Sequence, residues 1–214
     1  MSEPAAFIRA NTALVAPPLV PEIKLHLATE VVPLWQLTEE ELAAQGVPPP
    51  YWAFAWAGGQ ALARYVLDHP DLVRGKRVLD FGSGSGLVAI AAAKAGAERV
   101  TAADIDGFAN AAIRLNAAAN SAIVSATTDD LIGSDGNWRT ILVGDMCYER
   151  PLAERLLAWL TDRAAQGATV LLGDPGRSYF PKSGVERLDT FRVQTTRDLE
   201  DREIRETSVY RLIA

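Results

Sequence analysis

The chain has 214 residues, of which 49% are hydrophobic and 22% charged, a composition typical of a soluble globular domain with a sizeable core. Its formal net charge of −6 disfavours nucleic-acid binding, because neutralising phosphates requires clustered Lys and Arg. A single cysteine, Cys147, excludes an internal disulfide, and without a paired histidine nearby it is expected to be a buried, inert thiol. The two histidines, His26 and His69, are far apart, so no metal site is predicted. No segment has the ~20 consecutive apolar residues of a membrane span, and Met1 to Ala16 carries no targeting pattern, so we expect a cytoplasmic location.

The N-terminal 50 residues are predicted to form an irregular, partly helical extension. Within them, Thr38-Glu39-Glu40-Glu41 is a capping-box pattern that predicts a short helix ending at Gly46. Pro48-Pro49-Pro50 then favours an extended segment. We therefore expect residues 51–214 to form one globular domain.

From residue 51 onward, apolar strands alternate with amphipathic helices. The predicted helices are residues 58–67, 87–95, 108–119 and 151–166. The predicted strands are residues 77–81, 99–103, 122–128, 140–144 and 168–172, followed by β-like segments at 188–195 and 206–213. Strand–helix alternation predicts a parallel sheet with helices on both faces, and the final pair predicts an antiparallel hairpin at its edge. The expected fold is α/β, with a Rossmann-like, doubly wound, seven-stranded, mostly parallel sheet and a C-terminal antiparallel β-hairpin.

A glycine-rich loop, Gly82-Ser83-Gly84-Ser85-Gly86, follows the first predicted strand of this sheet. Glycines let the chain turn sharply from strand to helix and let a ligand approach the main chain. The GxGxG spacing differs from the GxGxxG of dinucleotide sites, and the carboxylate of Asp80 is unfavourable beside a pyrophosphate. Asp80 suits a ligand with an ammonium and a sulfonium group. The loop therefore predicts binding of S-adenosylmethionine through Asp80, Gly82, Ser83 and Gly84.

Further acidic residues follow the next two predicted strands. A carboxylate at Asp104 or Asp106 can accept hydrogen bonds from both ribose hydroxyls, and Asp104 is favoured because it ends its strand. Ile105, between them, is expected to flank the adenine. Asp129 follows the third strand and is predicted either to contact the adenine amino group or to cap a turn.

The order of these elements resembles the class I methyltransferases. After the fourth strand, Gly144-Asp145-Met146-Cys147-Tyr148-Glu149 resembles the D-x-x-Y/F motif of the seven-strand protein lysine methyltransferases, with Asp145 and Tyr148 in the motif positions. The segment from Pro50 to Gly59 resembles the same family, which implies that Trp56 lies near the cofactor. Over most of its length the chain is similar to the methyltransferases that act on lysines of the electron transfer flavoprotein β-subunit.

The resemblance implies that a methyl group passes from S-adenosylmethionine to a neutral lysine amine of a protein. Free lysine has a pKa near ~10.4, so the amine loses a proton before it attacks. Asp145 is predicted to bind the cofactor region and to orient the arriving ammonium, Tyr148 to form one wall of a channel, and Glu149 to assist either role. In the alternative interpretation, Tyr148 is a core aromatic, as Trp52 and Phe54 can also be.

Other functions fit parts of the sequence. A small-molecule methyltransferase would share the loop but would need a lid, for which only the N-terminal extension is available. The Asn-Pro-Pro-Tyr/Phe motif that serves amide and base nitrogens is absent, and Gly144-Asp145-Met146-Cys147 stands in its place. The GxGxG spacing disfavours a nicotinamide-dependent oxidoreductase, and the intact Asp145-x-x-Tyr148 pattern disfavours a non-catalytic cofactor-binding module. We expect a protein substrate, no membrane or nucleic-acid partner, and a monomer.

Overall fold

The computed structural model describes residues 4–29, 49–195 and 204–213. The helices are α1 (Pro4–Asn11), α2 (Ala57–Asp68), α3 (Leu87–Lys94), α4 (Gly107–Ala119) and α5 (Arg150–Ala165), with 3₁₀ turns at Tyr51–Ala53 and Pro70–Leu72. The strands are β1 (Ala13–Val15), β2 (Leu25–Leu27), β3 (Arg77–Phe81), β4 (Arg99–Ala103), β5 (Ser125–Thr127), β6 (Thr140–Gly144), β7 (Thr169–Asp174), β8 (Val185–Gln194) and β9 (Ile204–Leu212). The predicted capping box at Thr38 and helix end at Gly46 lie outside the described residues. Within the described ranges, every helix is too short or too polar to cross a bilayer.

The main sheet has seven strands in the order β5-β4-β3-β6-β7-β9-β8. Strands β3 to β7 pair in parallel, β9 is antiparallel to β7, and β8 is antiparallel to β9. The α/β fold with its C-terminal hairpin is therefore confirmed. The chain builds outward from β3 through β4 to β5, and then from β6 to β7 on the other side. Ligands of such sheets bind beyond the carboxyl ends of the strands at this switch point, between β3 and β6.

The strand register brings the predicted site segments to one edge. Phe81 at the end of β3 pairs with Ala103 of β4 and with Val143 of β6. Gly144 of β6 pairs with Gly173 of β7. Since parallel strands end together, the residues that follow them lie side by side along this edge.

Both faces of the central strands β3, β6 and β7 are buried, as their continuous apolar sequences predict. On one face, Val78 and Leu142 pack against residues of α2, α3 and α4 such as Leu62. On the other face, Leu79 packs with Leu156 of α5. Successive strand residues point to opposite faces, which explains why Val78 and Leu79 belong to different clusters.

The N-terminal segment is more regular than the sequence pattern indicates. Helix α1 is followed by β1 and β2, an antiparallel pair in which Val15 lies opposite Leu25. Ile8, Ile23 and Leu25 are fully buried. Residues 4–29 therefore pack against the same body as residues 49–195, and the domain boundary near residue 50 stays a prediction.

A buried asparagine links this N-terminal segment to the glycine loop. Asn116 of α4 is 0% exposed. Its Oδ1 accepts a hydrogen bond from the His26 amide (2.7 Å), and its Nδ2 donates to the Ser85 carbonyl (2.7 Å). An amide side chain carries both an acceptor and donors, so one residue satisfies two backbone segments. Strand β2 thus supports the loop after β3 through Asn116.

Candidate cofactor and substrate site

A cavity of about 470 Å³ opens at the carboxyl ends of β3, β4 and β6. The predicted site residues that line it are Trp56, Gly82, Gly84, Asp104, Ile105, Asp129, Asp145 and Tyr148. Three other predicted site residues, Asp80, Ser83 and Glu149, are outside its lining. Most of the predicted set therefore meets in one cavity, although the sequence positions span almost a hundred residues.

Hydrogen bonds hold the start of the glycine loop against the end of β4, and the loop also lines the cavity. Gly82 and Gly84 have φ of +65° and +51°, a left-handed conformation that favours glycine. A Cβ on Gly82 would lie 2.3 Å from the Met146 sulfur. The amides of Gly82 and Ser83 both donate to the Ala103 carbonyl at the end of β4 (2.9 and 3.1 Å). Open space lies beside Gly84, where an added Cβ would meet no atom closer than 3.9 Å and which lines the cavity.

Asp80 holds the loop from inside rather than contacting the cavity. Its carboxyl group is 1% exposed, and Oδ2 accepts hydrogen bonds from the Ser83 hydroxyl (2.6 Å) and the Ala89 amide of α3 (2.9 Å). Burial raises the pKa of Asp80 to about 7, against the two hydrogen bonds, which lower it. The predicted direct contacts of Asp80 and Ser83 with a cationic ligand are therefore not supported. Their mutual hydrogen bond instead shapes the loop.

The buried carboxyl of Asp80 predicts a specific pH dependence of stability. Folding raises its pKa from 3.8 to about 7, so the protonated form is favoured in the folded state. Its stabilising contribution is fully present below about pH 4 and is lost as the pH rises through 7. Asp80→Asn keeps the oxygen acceptor but cannot ionise. We expect the stability of Asp80→Asn relative to wild type to increase by about 2 kcal/mol between pH 5 and pH 8, measured by urea unfolding.

The control for this measurement is Asp71→Asn. The Asp71 side chain is 92% exposed, so Asp71→Asn shows the effect of removing one carboxylate from the surface. Parallel stability curves for Asp80→Asn and wild type would contradict the buried, proton-binding role of Asp80.

Asp104 joins the end of β4 to the glycine loop. Its Oδ2 accepts from the Gly84 amide (2.9 Å) and its Oδ1 from the Asp106 amide (3.1 Å), while burial raises its pKa. A carboxylate has about four lone-pair sites, so two stay available to hydroxyl donors in the cavity. Asp106 instead caps α4, because its Oδ1 accepts from the Phe108 amide (2.8 Å). The geometry favours Asp104 over Asp106 as the ribose-binding residue.

The far end of the cavity has the character expected for an adenine site. Ile105 lines it and is 77% exposed, so its apolar side chain is accessible to a flat ring in the cavity. Asp129 also lines the cavity and accepts from the Thr127 hydroxyl (2.7 Å), while Asp130 pairs with Arg155 (2.6 Å). The role of Asp129 as an adenine contact stays a prediction.

Asp145 lies directly after β6 and is held on every side. Its backbone has φ of +58°, and its amide donates to the Gly173 carbonyl (2.9 Å). Oδ2 accepts from the Gly59 amide in the first turn of α2 (2.8 Å). Oδ1 accepts from Nε (3.2 Å) and Nη2 (2.8 Å) of Arg177. Burial raises the pKa of Asp145 to about 6, and the Arg177 charge opposes this rise.

Arg177 is a site residue that the sequence analysis missed. Its loop leaves β7 at Asp174, whose Oδ1 accepts from the amides of Gly176 and Arg177 (both 2.7 Å). The guanidinium carbon lies 5.5 Å from the centre of the Trp56 ring. Asp174-Pro175-Gly176-Arg177 follows the fifth parallel strand, so its position at the same sheet edge was the available signal.

Aromatic rings surround the mouth of the cavity. Tyr148 is 45% exposed and lies 6.0 Å, between ring centres, from Tyr51, which is 53% exposed. Trp56 lies 6.1 Å from Tyr51, and its indole N–H donates to the Tyr51 carbonyl (2.9 Å). The alternative that Tyr148 is a core residue is therefore wrong. Trp52, in contrast, is 1% exposed and packs against Phe108.

The two sequence neighbours of Tyr148, Cys147 and Glu149, are not placed to take part in methyl transfer. Glu149 is exposed at the start of α5 and is outside the cavity lining, so the geometry does not support its predicted assisting role. Cys147 is buried, and burial raises the pKa of its thiol to about 12. At neutral pH this thiol stays protonated and unreactive, and its expected burial is confirmed.

Comparison with known proteins relates the chain to methyltransferases. Residues 60–136 match the family model described as ribosomal protein L11 methyltransferase. The chain is 44% identical to the electron transfer flavoprotein beta subunit lysine methyltransferase of Xenopus laevis, over 86% of this chain and 75% of that protein. Its identity to the Homo sapiens protein of the same name is 42%, over 85% and 70%.

Among solved structures, the magnesium protoporphyrin IX methyltransferase of Synechocystis PCC 6803 with bound SAM shares the fold. It has a TM-score of 0.53 and 18% sequence identity, covering 72% of this chain and 77% of that one. The high identity over most of both chains, rather than this structural likeness, defines the relationship. The chain belongs to the family of electron transfer flavoprotein β-subunit lysine methyltransferases.

Proposed function

We propose that this protein transfers methyl groups from S-adenosylmethionine to lysine side chains of the electron transfer flavoprotein β-subunit. The observation that carries the proposal is the position of Asp145. It is fixed at the inner end of the cavity, while Tyr148, three residues later, is half exposed at the mouth. The names and identities of the relatives support the choice of substrate.

The residues of the cavity fit S-adenosylmethionine. Gly82 has no space for a side chain, and Gly84 presents a left-handed main chain beside Asp104. Asp104 would accept hydrogen bonds from the ribose hydroxyls, and Ile105 would cover one face of the adenine. When bound, the cofactor supplies a methyl group on a positively charged sulfur.

The mouth of the cavity fits the side chain of lysine. Tyr51 and Tyr148 provide apolar faces for an alkyl stem, and both side chains are about half exposed. Partial desolvation between these rings favours the neutral amine, as does a neighbouring positive charge. The amine held there would be neutral, with its lone pair free to accept the methyl group that the cofactor would supply.

Asp145 is suited to orient this amine without trapping it as an ammonium ion. A lone buried carboxylate would stabilise the positive charge and oppose loss of the proton. The Arg177 guanidinium, 2.8 Å away, opposes that negative charge. Asp145 therefore acts as a fixed hydrogen-bond acceptor, and positioning supplies the acceleration.

The test is methyl transfer to purified electron transfer flavoprotein. The protein is incubated with the αβ flavoprotein and S-adenosylmethionine labelled in its methyl group, and each subunit is analysed by mass spectrometry. We expect label on β-subunit lysines, with the α-subunit of the same heterodimer as an internal control. In a parallel incubation with a cell lysate, label confined to other proteins would reject the substrate, and label confined to small molecules would reject the lysine methyltransferase activity. The cytoplasmic location inferred from the sequence stays a prediction.

A further inference from the structure

The contact between Arg177 and Asp145 connects three separate elements of the fold. Asp145 directly follows β6, Arg177 belongs to the loop after β7, and the Gly59 amide belongs to the first turn of α2. The carboxylate accepts two N–H groups from Arg177 on Oδ1 and one from Gly59 on Oδ2. A carboxylate bound in this way has one orientation only, set by partners on both sides.

Arg177 is itself held in place rather than reaching out as a flexible surface side chain. Its amide and that of Gly176 donate to Asp174, which is 2% exposed. Its guanidinium lies over the Trp56 ring, and its side chain is 18% exposed. Stacking on an aromatic face and bonding through a planar fork use features of arginine that lysine lacks.

We propose that Arg177 is a positioning residue for lysine methylation, which fixes the Asp145 carboxylate against the start of α2 at the inner end of the cavity. This inference rests on the proposed function, because it concerns the orientation of the acceptor that meets the amine. Arg177 acts through Asp145, so its loss is expected to lower the rate of transfer more than the affinity for the cofactor.

The charged groups around Asp145 affect its pKa, so the role of Arg177 can be tested by titrating Asp145. Arg177 is the positive group that faces it, Asp174 at the end of β7 is a negative one, and the Gly59 amide belongs to α2. The Cys147 thiol, on the same loop as Asp145, stays protonated. Without Arg177, burial and Asp174 both favour the protonated carboxyl, so the pKa of Asp145 is expected to rise.

The experiment compares Arg177→Gln and Arg177→Lys with wild type. We expect Arg177→Gln to lower kcat about 10- to 100-fold while the Kd for S-adenosylmethionine, from calorimetry, changes less than about threefold. The ¹³C NMR titration of the Asp145 carboxyl carbon, assigned by its loss in Asp145→Asn, is expected to shift upward by about one pH unit or more. Arg177→Lys keeps the charge without the fork, so it should restore part of both properties. Arg74→Gln, at a 63% exposed surface arginine, is the control and should match wild type.

Each other outcome would overturn the inference. Full activity of Arg177→Gln would show that Asp145 needs no such partner. Loss of activity with an unchanged Asp145 titration, equal in Gln and Lys variants, would show a general structural role. Loss of cofactor affinity in proportion to activity would make Arg177 a cofactor-binding residue. If wild type itself methylates no lysine, the proposed function fails, whereas the Asp145 titration still tests the Arg177 contact.

Discussion

Asp145→Asn is expected to lower methyl transfer about 100-fold while the affinity for S-adenosylmethionine stays within a factor of about 3. Asparagine has nearly the shape of aspartate but presents one oxygen and one NH₂ group. The Asp145 carboxylate uses both oxygens as acceptors, toward Arg177 and toward the Gly59 amide. One of these partners then faces an NH₂ group, and the fixed acceptor is lost.

Asparagine is also the replacement that tests the chemical role of the Asp145 carboxylate without adding backbone strain. Asp145 has φ of +58°, which Asn and Gly adopt at little cost, whereas alanine adds about 1–2 kcal/mol of backbone strain. Single-turnover transfer to the flavoprotein β-subunit and calorimetric cofactor binding give the two required values. A thermal melt of the same samples checks that the variant remains folded.

Asp104→Ala is the matched comparison, and it is expected to show the opposite pattern. Its carboxylate lies in the cofactor part of the cavity, where charge-assisted hydrogen bonds contribute about 1.5–3 kcal/mol each. We expect the Kd for S-adenosylmethionine to rise about 10- to 100-fold, with transfer largely recovered at saturating cofactor. If both variants lost cofactor affinity equally, the division between a cofactor carboxylate and a substrate carboxylate would be wrong.

The parts of the fold that could be predicted were those with a local physical cause. The strands β3, β4 and β6 are short apolar sequences, and the glycine loop after β3 has a backbone that only glycine adopts easily. Parallel strands end at one edge, so the residues after each strand had to lie together. For this reason Asp104 and Asp145 could be placed near one cavity without knowledge of the structure.

What could not be predicted depends on contacts between distant segments. The position of Arg177 after a parallel strand indicated only the sheet edge, whereas its role comes from contacts with Asp145 and Trp56 that no local pattern reveals. Similarly, β1 and β2 have three residues each, too few for a periodic pattern, and Asn116 is buried only because β2 and the glycine loop meet there.

Asp80 illustrates the same limit. Its spacing indicated a ligand contact, whereas its direction, toward Ser83 and Ala89, follows from the packing of α3 on β3.

The start of α2 lies against the sheet at a point where glycines replace side chains. A Cβ on Gly58 would lie 2.2 Å from the Gly173 carbonyl oxygen and 2.5 Å from Oδ2 of Asp145. A Cβ on Gly173 would in turn lie 2.2 Å from the Gly58 carbonyl oxygen. Backbone oxygens cannot move aside like the end of a flexible side chain. The close approach of α2 to β7 therefore sets the distance over which the Gly59 amide reaches Asp145.

Gly58→Ala is accordingly expected to destabilise the protein by about 3 kcal/mol or more, since an added methyl group in a fully packed region forces backbone shifts. Gly59→Ala, one residue later in the same turn, is the matched control. Its Cβ would meet only Val88 Cγ2 at 4.0 Å, so it should be neutral or stabilise the helix by up to about 1 kcal/mol. Urea unfolding measures the change in stability of both variants. Methyl transfer is expected to fall in Gly58→Ala even at temperatures where this variant is still folded, because α2 moves relative to Asp145. Equal stability of the two variants would mean that the packing of α2 on β7 does not depend on this glycine contact.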